Sequence, residues 1–456
     1  MNNSKKLSQR HRGTKERIIK IISSAEFGAY QKCLCNKSED EPVTEVVREI
    51  IAKVRAEGDA AVRHYALQFE KYNTDKFEVP IEAAKEAWEK LESAEPDLAS
   101  AIKFASGNIK RFAELQKEQF RDFETEIAPG VFTGQRVIPV SRAAVYVPAG
   151  NFPLLSSALM GLIPAAVAGV KEKILVSPPA EAGLPDRRIL AAAFIAGADR
   201  VFAIGGAQAI AALAFGTETV PRADIIAGPG NKYVAAAKRL LFGEVGIDFV
   251  AGPTDVLIVS DDPNPDERAV NLIAADMLAQ AEHDADARAR VLVPDRQAAK
   301  KIKLALESRL SSLSTSKTAR TSLEAGGLII VYKTKEEAVR IANEIAPEHL
   351  ELHVSSPNEW IPNLLNYGSL FIGAFAAEAL GDYSAGINHT LPTSASARFT
   401  GGLSVRNFLK TVTSLRCVPG SKEQSSGYAE ALKAAVTIAN AEGLAGHAES
   451  ASLRKQ

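Results

Sequence analysis

Apolar and polar positions along the chain fall into two regimes. From Val46 to Lys117 the apolar residues recur at helical spacing, most clearly in VVREIIAKVRAEGDAAVRHYALQFEKY (Val46–Tyr72). Gly58-Asp59 inside that stretch reads as a helix stop followed by an N-cap, so the spacing predicts two helices rather than one. The middle of the chain switches to short apolar runs that end in Gly, Pro or Asp. These are AAVYVPAG (Ala143–Gly150), KILVSPP (Lys173–Pro179), RVFAIGG (Arg200–Gly206), ADIIAGPG (Ala223–Gly230) and DVLIVSD (Asp255–Asp261). Alanine-rich helical stretches lie between most of them, such as AQAIAALAFG (Ala207–Gly216) and NKYVAAAKRLLFG (Asn231–Gly243). Buried strands alternating with helices imply a parallel sheet covered on both faces. Ligands in such folds are expected beyond the carboxyl ends of the strands, where these Gly and Pro turns fall.

The alternation resumes with RARVLVPD (Arg288–Asp295), a charged helix to about Leu313, and GGLIIVYKT (Gly326–Thr334). From Leu380 the chain is loop-rich and then helical, ending in YAEALKAAVTIANAEGLAGHAESASLR (Tyr428–Arg454). The predicted fold class is α/β: two Rossmann-like parallel-sheet units with helical N-terminal and C-terminal extensions. The expected division is a tail and helix over 1–45 and a helical region packed on the core over 46–135. A first α/β unit covers 136–262, a second 263–379, and a loop-and-helix segment 380–456.

Composition narrows the class without changing this picture. With 46% hydrophobic and 24% charged residues in 456, the chain has a soluble globular profile, and a formal net charge of −1 favours neither nucleic acid nor an anionic membrane. Three cysteines (Cys33, Cys35, Cys417) make no disulfide scaffold, and Cys33-Leu-Cys35 lacks the second pair of a zinc knuckle. FPLLSSALMGLIPAAVAGV (Phe152–Val170) is apolar enough to suggest a membrane span, but Pro164 and its place between strand-like runs favour a buried helix. The basic start, MNNSKKLSQRHRGTKERIIKII, is followed by no apolar signal region and reads as a solvated tail; the cytoplasm is the expected location.

The chemistry begins at LAQAEHDAD (Leu278–Asp286). A helix whose upstream stretch AVNLIAADM is ready for burial turns polar within one turn. Gln280 and His283, three apart, share a helix face, and a carbonyl oxygen beside an imidazole can supply two ligands to a zinc-like ion. Taken alone, a solvated helix end explains the pair as well. IAPEHLEL (Ile345–Leu352) sets Glu348 and His349 where a helical run stops, a pairing suited to acid–base work or to capping a turn. GDYSAGINHTLPT (Gly381–Thr393) carries Asp382, Asn388 and His389 in a glycine-bearing loop, and EGLAGH (Glu442–His447) closes a helical stretch with a carboxylate and an imidazole. Four of the seven histidines fall in these clusters. GGAQ (Gly205–Gln208) and GPGN (Gly228–Asn231) place backbone amides at strand–helix junctions, where a phosphate or ribose can sit; tight turns alone also account for the glycines.

Read together, the clusters resemble the histidinol dehydrogenase family, from about Val46 to Arg454. The resemblance is carried by GGAQAIAALAFGTETVP, GPGNKYV, AGPTDVL, LAQAEHD, PEHLEL and GDYSAGINHTLPT, in that order. It implies one Zn2+ per subunit held by Gln280, His283, Asp382 and His447, the last from the partner in a homodimer, so that 380–456 completes the partner's site. It implies an acid–base pair in Glu348 and His349, and NAD contacts at Tyr146, Gln208 and Asn231. Substrate would be held by Thr254, Glu442, His349 and the zinc ligands, with His389 in a supporting or substrate-carrying loop. The implied reaction is a four-electron oxidation of L-histidinol to L-histidine in two hydride transfers to NAD.

Three positions depart from the family's pattern. Ala149 stands where a second glycine is usual, AAEALGDY (Ala376–Tyr383) lacks a proline before the aspartate, and Thr254 replaces a frequent serine while keeping the hydroxyl. The first two leave room for a paralogue serving another small polyol, such as a sulfonated propanediol, although Glu442 suits an ammonium and would repel a sulfonate. A zinc hydrolase on the same scaffold is a further alternative, which the turns at the expected NAD contacts do not support.

Overall fold

The computed structural model describes residues 18–35, 41–74, 76–149, 153–180, 183–418 and 425–455. The basic tail expected before Ile18 lies outside them. Two parallel sheets organise the chain. In the first, β5 (Arg142–Tyr146), β6 (Glu172–Ser177), β7 (Arg200–Ala203), β8 (Ile225–Ala227) and β9 (Gly246–Ile247) run parallel in the order β7-β6-β5-β8-β9. A short antiparallel β2 (Glu78–Val79) caps the β7 edge. In the second, β10 (Asp255–Ser260), β11 (Arg288–Val293), β12 (Leu328–Val331), β13 (His349–His353) and β14 (Ser369–Ile372) repeat the pattern as β12-β11-β10-β13-β14. Here β1 (Lys20–Ser23) extends the β12 edge in parallel. In both sheets the strand that opens the five-stranded parallel run, β5 or β10, is central and the chain crosses over it once, the doubly wound arrangement.

The alternation of side chains on these strands divides the core. On β5 and β6, Ala144, Tyr146, Ile174 and Val176 join one apolar cluster, while Val145 and Leu175 join the cluster on the opposite face. On β10, Val256 and Ile258 face one helical layer and Leu257 and Val259 the other. Strands apolar at every position are therefore what a sheet covered on both sides requires. The apolar segment 152–170 supplies a helix, Leu155–Ala168, buried against that second cluster. Its Gly161 lets Val145 approach so closely that a Cβ would lie 2.4 Å from Val145 Cγ1. No described helix is long and apolar enough to cross a membrane.

Three expectations are revised. The run Asp255–Asp261, read as the last strand of the first unit, is the central strand of the second sheet. Its composition specified a buried strand, but hydrophobicity carries no label for the partner. The region 46–135 is not helical throughout, because β3 (Phe123–Ala128) and β4 (Val131–Pro139) form a hairpin. Its turn holds Gly130 at φ 79°, in the left-handed region. The segment after Leu380 also contains β15 (Leu409–Cys417), antiparallel to β4 along its length. Most of β15 is exposed, so it lacks the apolar alternation by which a half-buried strand is recognised.

Candidate active site

The helix Glu267–Ala281 begins at Asp266, whose side chain accepts from Ala269 N at 2.7 Å. It packs Val270, Ile273, Ala274, Met277 and Leu278 into the core beside β10. Because this helix is the crossover after β10, it returns the chain to the amino end of the second sheet. It delivers Gln280 there fully buried, with His283 just past its end. Thr254 precedes β10 and Glu348 precedes β13, so both reach the same edge. The carboxyl side of the first sheet meets them: Leu154, Ser156 and Ser157 follow β5, and Pro229-Gly230 follow β8. The expectation of ligands beyond the carboxyl ends of strands thus applies to one sheet only.

These parts enclose a cavity of about 190 Å³ lined by Thr254, His283, Glu348, His349, Glu378, Asp382 and His389, among others. The Thr254 hydroxyl bonds to Glu348 Oε2, which also accepts from Asp255 N at 3.1 Å. Asp255 Oδ1 accepts from Glu348 N at 3.2 Å, and the buried Arg290 guanidinium stands 3.3 Å from Asp255 Oδ2. His349 Nδ1 is 3.9 Å from Glu348 and 3.8 Å from Glu378, and its Nε2 is 3.6 Å from Asp382 Oδ1. Neither ring nitrogen has a hydrogen-bond partner among the described residues, which leaves both able to meet a ligand. His389 is anchored, with Nδ1 3.0 Å from the Asp382 carbonyl and Nε2 3.3 Å from Ser157 Oγ.

Burial and crowding of charge tune this edge. Burial pushes Glu348 up to about 7, against the opposing pull of His349. A carboxyl balanced there is poised to take or release a proton near neutrality. Burial alone would lower His349, but Glu378, Glu348 and Asp382 outweigh it and hold the imidazole well above its ordinary value. Glu378 is itself raised, first by burial and then by its carboxylate neighbours Asp382 and Glu351.

The donor set fits a divalent cation. His283, Glu378 and Asp382 bring one ligand atom each within 4.8 Å of one another. Gln280 can donate its amide N–H to Thr254 Oγ1 at 2.7 Å; its oxygen then lies 2.7 Å from Glu378 Oε1. Two acceptor oxygens so close need a proton or cation between them, or else the amide turns so that its nitrogen faces Glu378. With a cation, the first orientation presents a carbonyl oxygen, an imidazole and carboxylates, a mixed N/O set suited to zinc and its neighbours.

At the carboxyl edge of the first sheet, the Tyr146 hydroxyl accepts from Gly206 N at 3.1 Å. Its carbonyl lies so near Gly228 that a Cβ there would be 2.2 Å away, and Gly228 has φ +111°. Tyr146 thereby ties the GGAQ turn to the GPGN turn. Asn231 caps the helix Lys232–Leu241, accepting from Tyr233 N at 3.0 Å and Val234 N at 3.2 Å. Gln208 is buried, its Nε2 3.4 Å from Glu70 Oε1, which also accepts from Gly205 N at 2.6 Å. Tyr146, Gln208 and Asn231 do not line the cavity itself; Pro229-Gly230 of the same turn does.

Thr254, His283, Glu348, His349 and Asp382 converge, and Gln280 reaches them through Thr254. Glu442 and His447 do not line the cavity of their own chain; both are exposed near the C-terminus. Glu378 escaped the sequence reading although it stands four residues before Asp382, one helical turn away on a shared face. Glu70 carried no signal, because a π-helical turn, Ala66–Glu70, aims it at Gly205.

Comparison with known proteins agrees with this architecture. The family model described as histidinol dehydrogenase matches residues 35–455. A histidinol dehydrogenase of Thermus thermophilus is 46% identical over 92% of this chain and 96% of its own. One from Streptococcus mutans is 39% identical over 97% and 98%. The crystal structure of histidinol dehydrogenase from Elizabethkingia anophelis superposes with a TM-score of 0.87 at 31% identity, covering 97% of this chain and 99% of that one. With the family model spanning nearly the whole sequence and the fold reproduced from end to end, the chain belongs to the histidinol dehydrogenase family.

Proposed function

We propose that the chain oxidises L-histidinol to L-histidine through the aldehyde, using two NAD in turn, one zinc-type ion per subunit, and sites shared across a homodimer. The observation that carries the reading is the meeting of Thr254, His283, Glu348, His349 and Asp382, from remote stretches, in one cavity. Gln280, His283 and Asp382 would hold the ion together with His447 of the partner subunit. When bound, the ion supplies Lewis-acid polarisation of the alcohol oxygen.

With Asp382 and the neighbouring Glu378 neutralised by the ion, His349 gives up the proton they would otherwise hold on it and takes the hydroxyl proton as hydride leaves the carbinol carbon for the nicotinamide. The carbon becomes an aldehyde, one NAD becomes NADH, and the proton stays on the imidazole. Glu348 then takes a proton from the water that adds to the aldehyde. The hydrate gives a second hydride to a second NAD and ends as the carboxylic acid. No thiolate enters this sequence; Cys417 lies on β15, away from the cavity lining. Thr254 positions Glu348, and Glu442 of the partner subunit would pair with the substrate ammonium. Tyr146, Gln208 and Asn231 form the NAD-binding edge, and the cytoplasm is the setting of the reaction.

Shared sites are supported by what the C-terminal arm exposes. Ile127 on β3, Leu415 on β15, Ile438 in the helix Ser425–Ala441, and Leu444 and Leu453 at the two ends of the last helix, Ala445–Ser452, are all open to solvent in one chain. A run of exposed apolar side chains along one arm is a surface suited to association. The helix Ser425–Ala441 is tied to the hairpin by Tyr428 N donating to Pro129 O at 3.0 Å, so helices and hairpin are placed to dock together.

Purified protein given L-histidinol and NAD is expected to form two NADH per histidinol consumed, with loss on chelation and recovery on adding zinc. Turnover of another polyol but not histidinol would reassign the substrate. Ester or amide cleavage, with no NADH from any alcohol, would replace the reading with a hydrolase.

A further inference from the structure

Glu348 is held by more than the Thr254 hydroxyl. Thr254 Oγ1 and Asp255 N both donate to Glu348 Oε2, the second at 3.1 Å. Among the described residues no hydrogen bond reaches Glu348 Oε1, and Glu348 lines the cavity. One carboxylate oxygen is therefore fixed and the other left for a ligand. In return, Glu348 N donates to Asp255 Oδ1 at 3.2 Å. Asp255 and Glu348 thus grip each other twice, where β10 begins and just before β13.

A third strand fixes the grip. On β11, Ala289 and Val291 join one apolar cluster, so Arg290 between them points to the opposite face with Leu292. Arg290 lies opposite Leu257 in the ladder, and Asp255, two residues before Leu257, shares that face. The guanidinium crosses this diagonal to stand 3.3 Å from Asp255 Oδ2. Both partners are buried. A buried ion pair adds little net stability over apolar side chains of the same size. What it imposes here is direction: with Oδ2 on Arg290, Asp255 Oδ1 is turned to Glu348 N.

We propose that Asp255, held by Arg290, is a positioning residue for the second oxidation, setting the Glu348 carboxylate so that Oε1 faces the water that adds to the aldehyde. The inference rests on the reading of Glu348 as the base for that water. Asp255 does not line the cavity, so it acts through Glu348. Without it the carboxylate can turn about its side-chain bonds, and a displacement of about 1 Å at a reacting group can cost about 10²-fold in rate. The alcohol step depends on His349, which the ladder between β10 and β13 holds by its backbone. The cost should therefore fall on the aldehyde step.

The test gives the full-length, zinc-loaded enzyme L-histidinol with NAD, and separately the aldehyde with NAD. Asp255→Ala/Arg290→Met removes the grip without stranding a buried charge. It is expected to lower kcat for the aldehyde about 10²-fold with little change in KM, while the alcohol step slows less than about tenfold. The yield should move from two NADH per histidinol toward one. Asp255→Asn/Arg290→Met restores an acceptor for Glu348 N and should recover most of the aldehyde rate. Arg290→Met alone, which loosens Asp255 without removing it, should show the same split to a smaller degree and serves if the first variant does not fold. Glu348→Gln, run in parallel, separates two kinds of failure. If it loses the aldehyde step while Asp255→Ala/Arg290→Met slows both steps equally or neither, the proposal falls and the reading of Glu348 stands. If Glu348→Gln still yields two NADH at the wild-type rate, that reading fails and takes the proposal with it. An Asn variant no faster on the aldehyde than the Ala variant would also overturn the grip.

Discussion

Glu348 and His349 are neighbours in sequence with different tasks, and the start of β13 separates them. Glu348 is outside the strand, gripped by the Thr254 hydroxyl and Asp255 N, while His349 is in it and faces Asp382 and Glu378. Glu348→Gln keeps the shape of the first but cannot take a proton. It should slow the aldehyde step by about 10²–10⁴-fold and lower the yield from two NADH per histidinol toward one, with aldehyde released. His349→Asn should depress both steps. A Glu348→Gln enzyme that still yields two NADH at the wild-type rate would remove Glu348 from the water step.

Glu70 offers a test through stability. Burial raises its carboxyl to about 7 despite the hydrogen bond from Gly205 N. A group raised above its unfolded value binds its proton more tightly when folded. Its stabilising contribution is therefore full below the unfolded value near 4.5 and is lost as pH climbs through about 7. Glu70→Gln retains the acceptor without the titration, so the variant should gain melting temperature relative to wild type between pH 5 and 8. A difference that stays flat across that range would deny the burial of charge at Glu70. At this scale the sequence was informative where polar side chains interrupted an apolar helix, as at Gln280 and His283. It was silent where a distorted helix end did the aiming, as at Glu70.

At the scale of elements, the GPGN turn depends on a buried ion pair. Lys238, on the helix that Asn231 caps, pairs with Asp248 and donates to Gly228 O at 2.9 Å. Asp248 in turn accepts from Gly228 N at 2.8 Å. Removing one member of such a pair strands the other, so Lys238→Met should cost about 3–5 kcal/mol of unfolding free energy. The loosened turn should also raise the KM for NAD more than it lowers kcat. Unchanged stability with unchanged NAD affinity would show that the pair does not hold the turn. Strand and helix types were readable wherever burial was complete, since uniform apolar runs such as DVLIVS admit few readings. The sheet a strand joins was not readable, as β10 shows, and neither was the exposed β15, whose partner β4 is far away in sequence.

At the scale of the whole molecule, one chain provides a cavity lined by His283 and Asp382, with Gln280 reaching it through Thr254, but keeps Glu442 and His447 on its exterior. Pattern and spacing found all five positions as clusters, yet nothing local to either segment could say whether they meet within a chain or between chains. Our account is that they meet between chains, through the arm formed by β3, β4, β15 and the terminal helices. The direct measurement is a mixed dimer of His283→Ala and His447→Asn chains, co-expressed with different tags and purified through both. Each parent homodimer has two damaged sites and should be nearly inactive. The mixed dimer gathers both substitutions in one site and leaves the other intact, so it should show about half the wild-type rate of NADH formation from histidinol. A mixed dimer as inactive as its parents would contradict the account, because each site would then be built from a single chain.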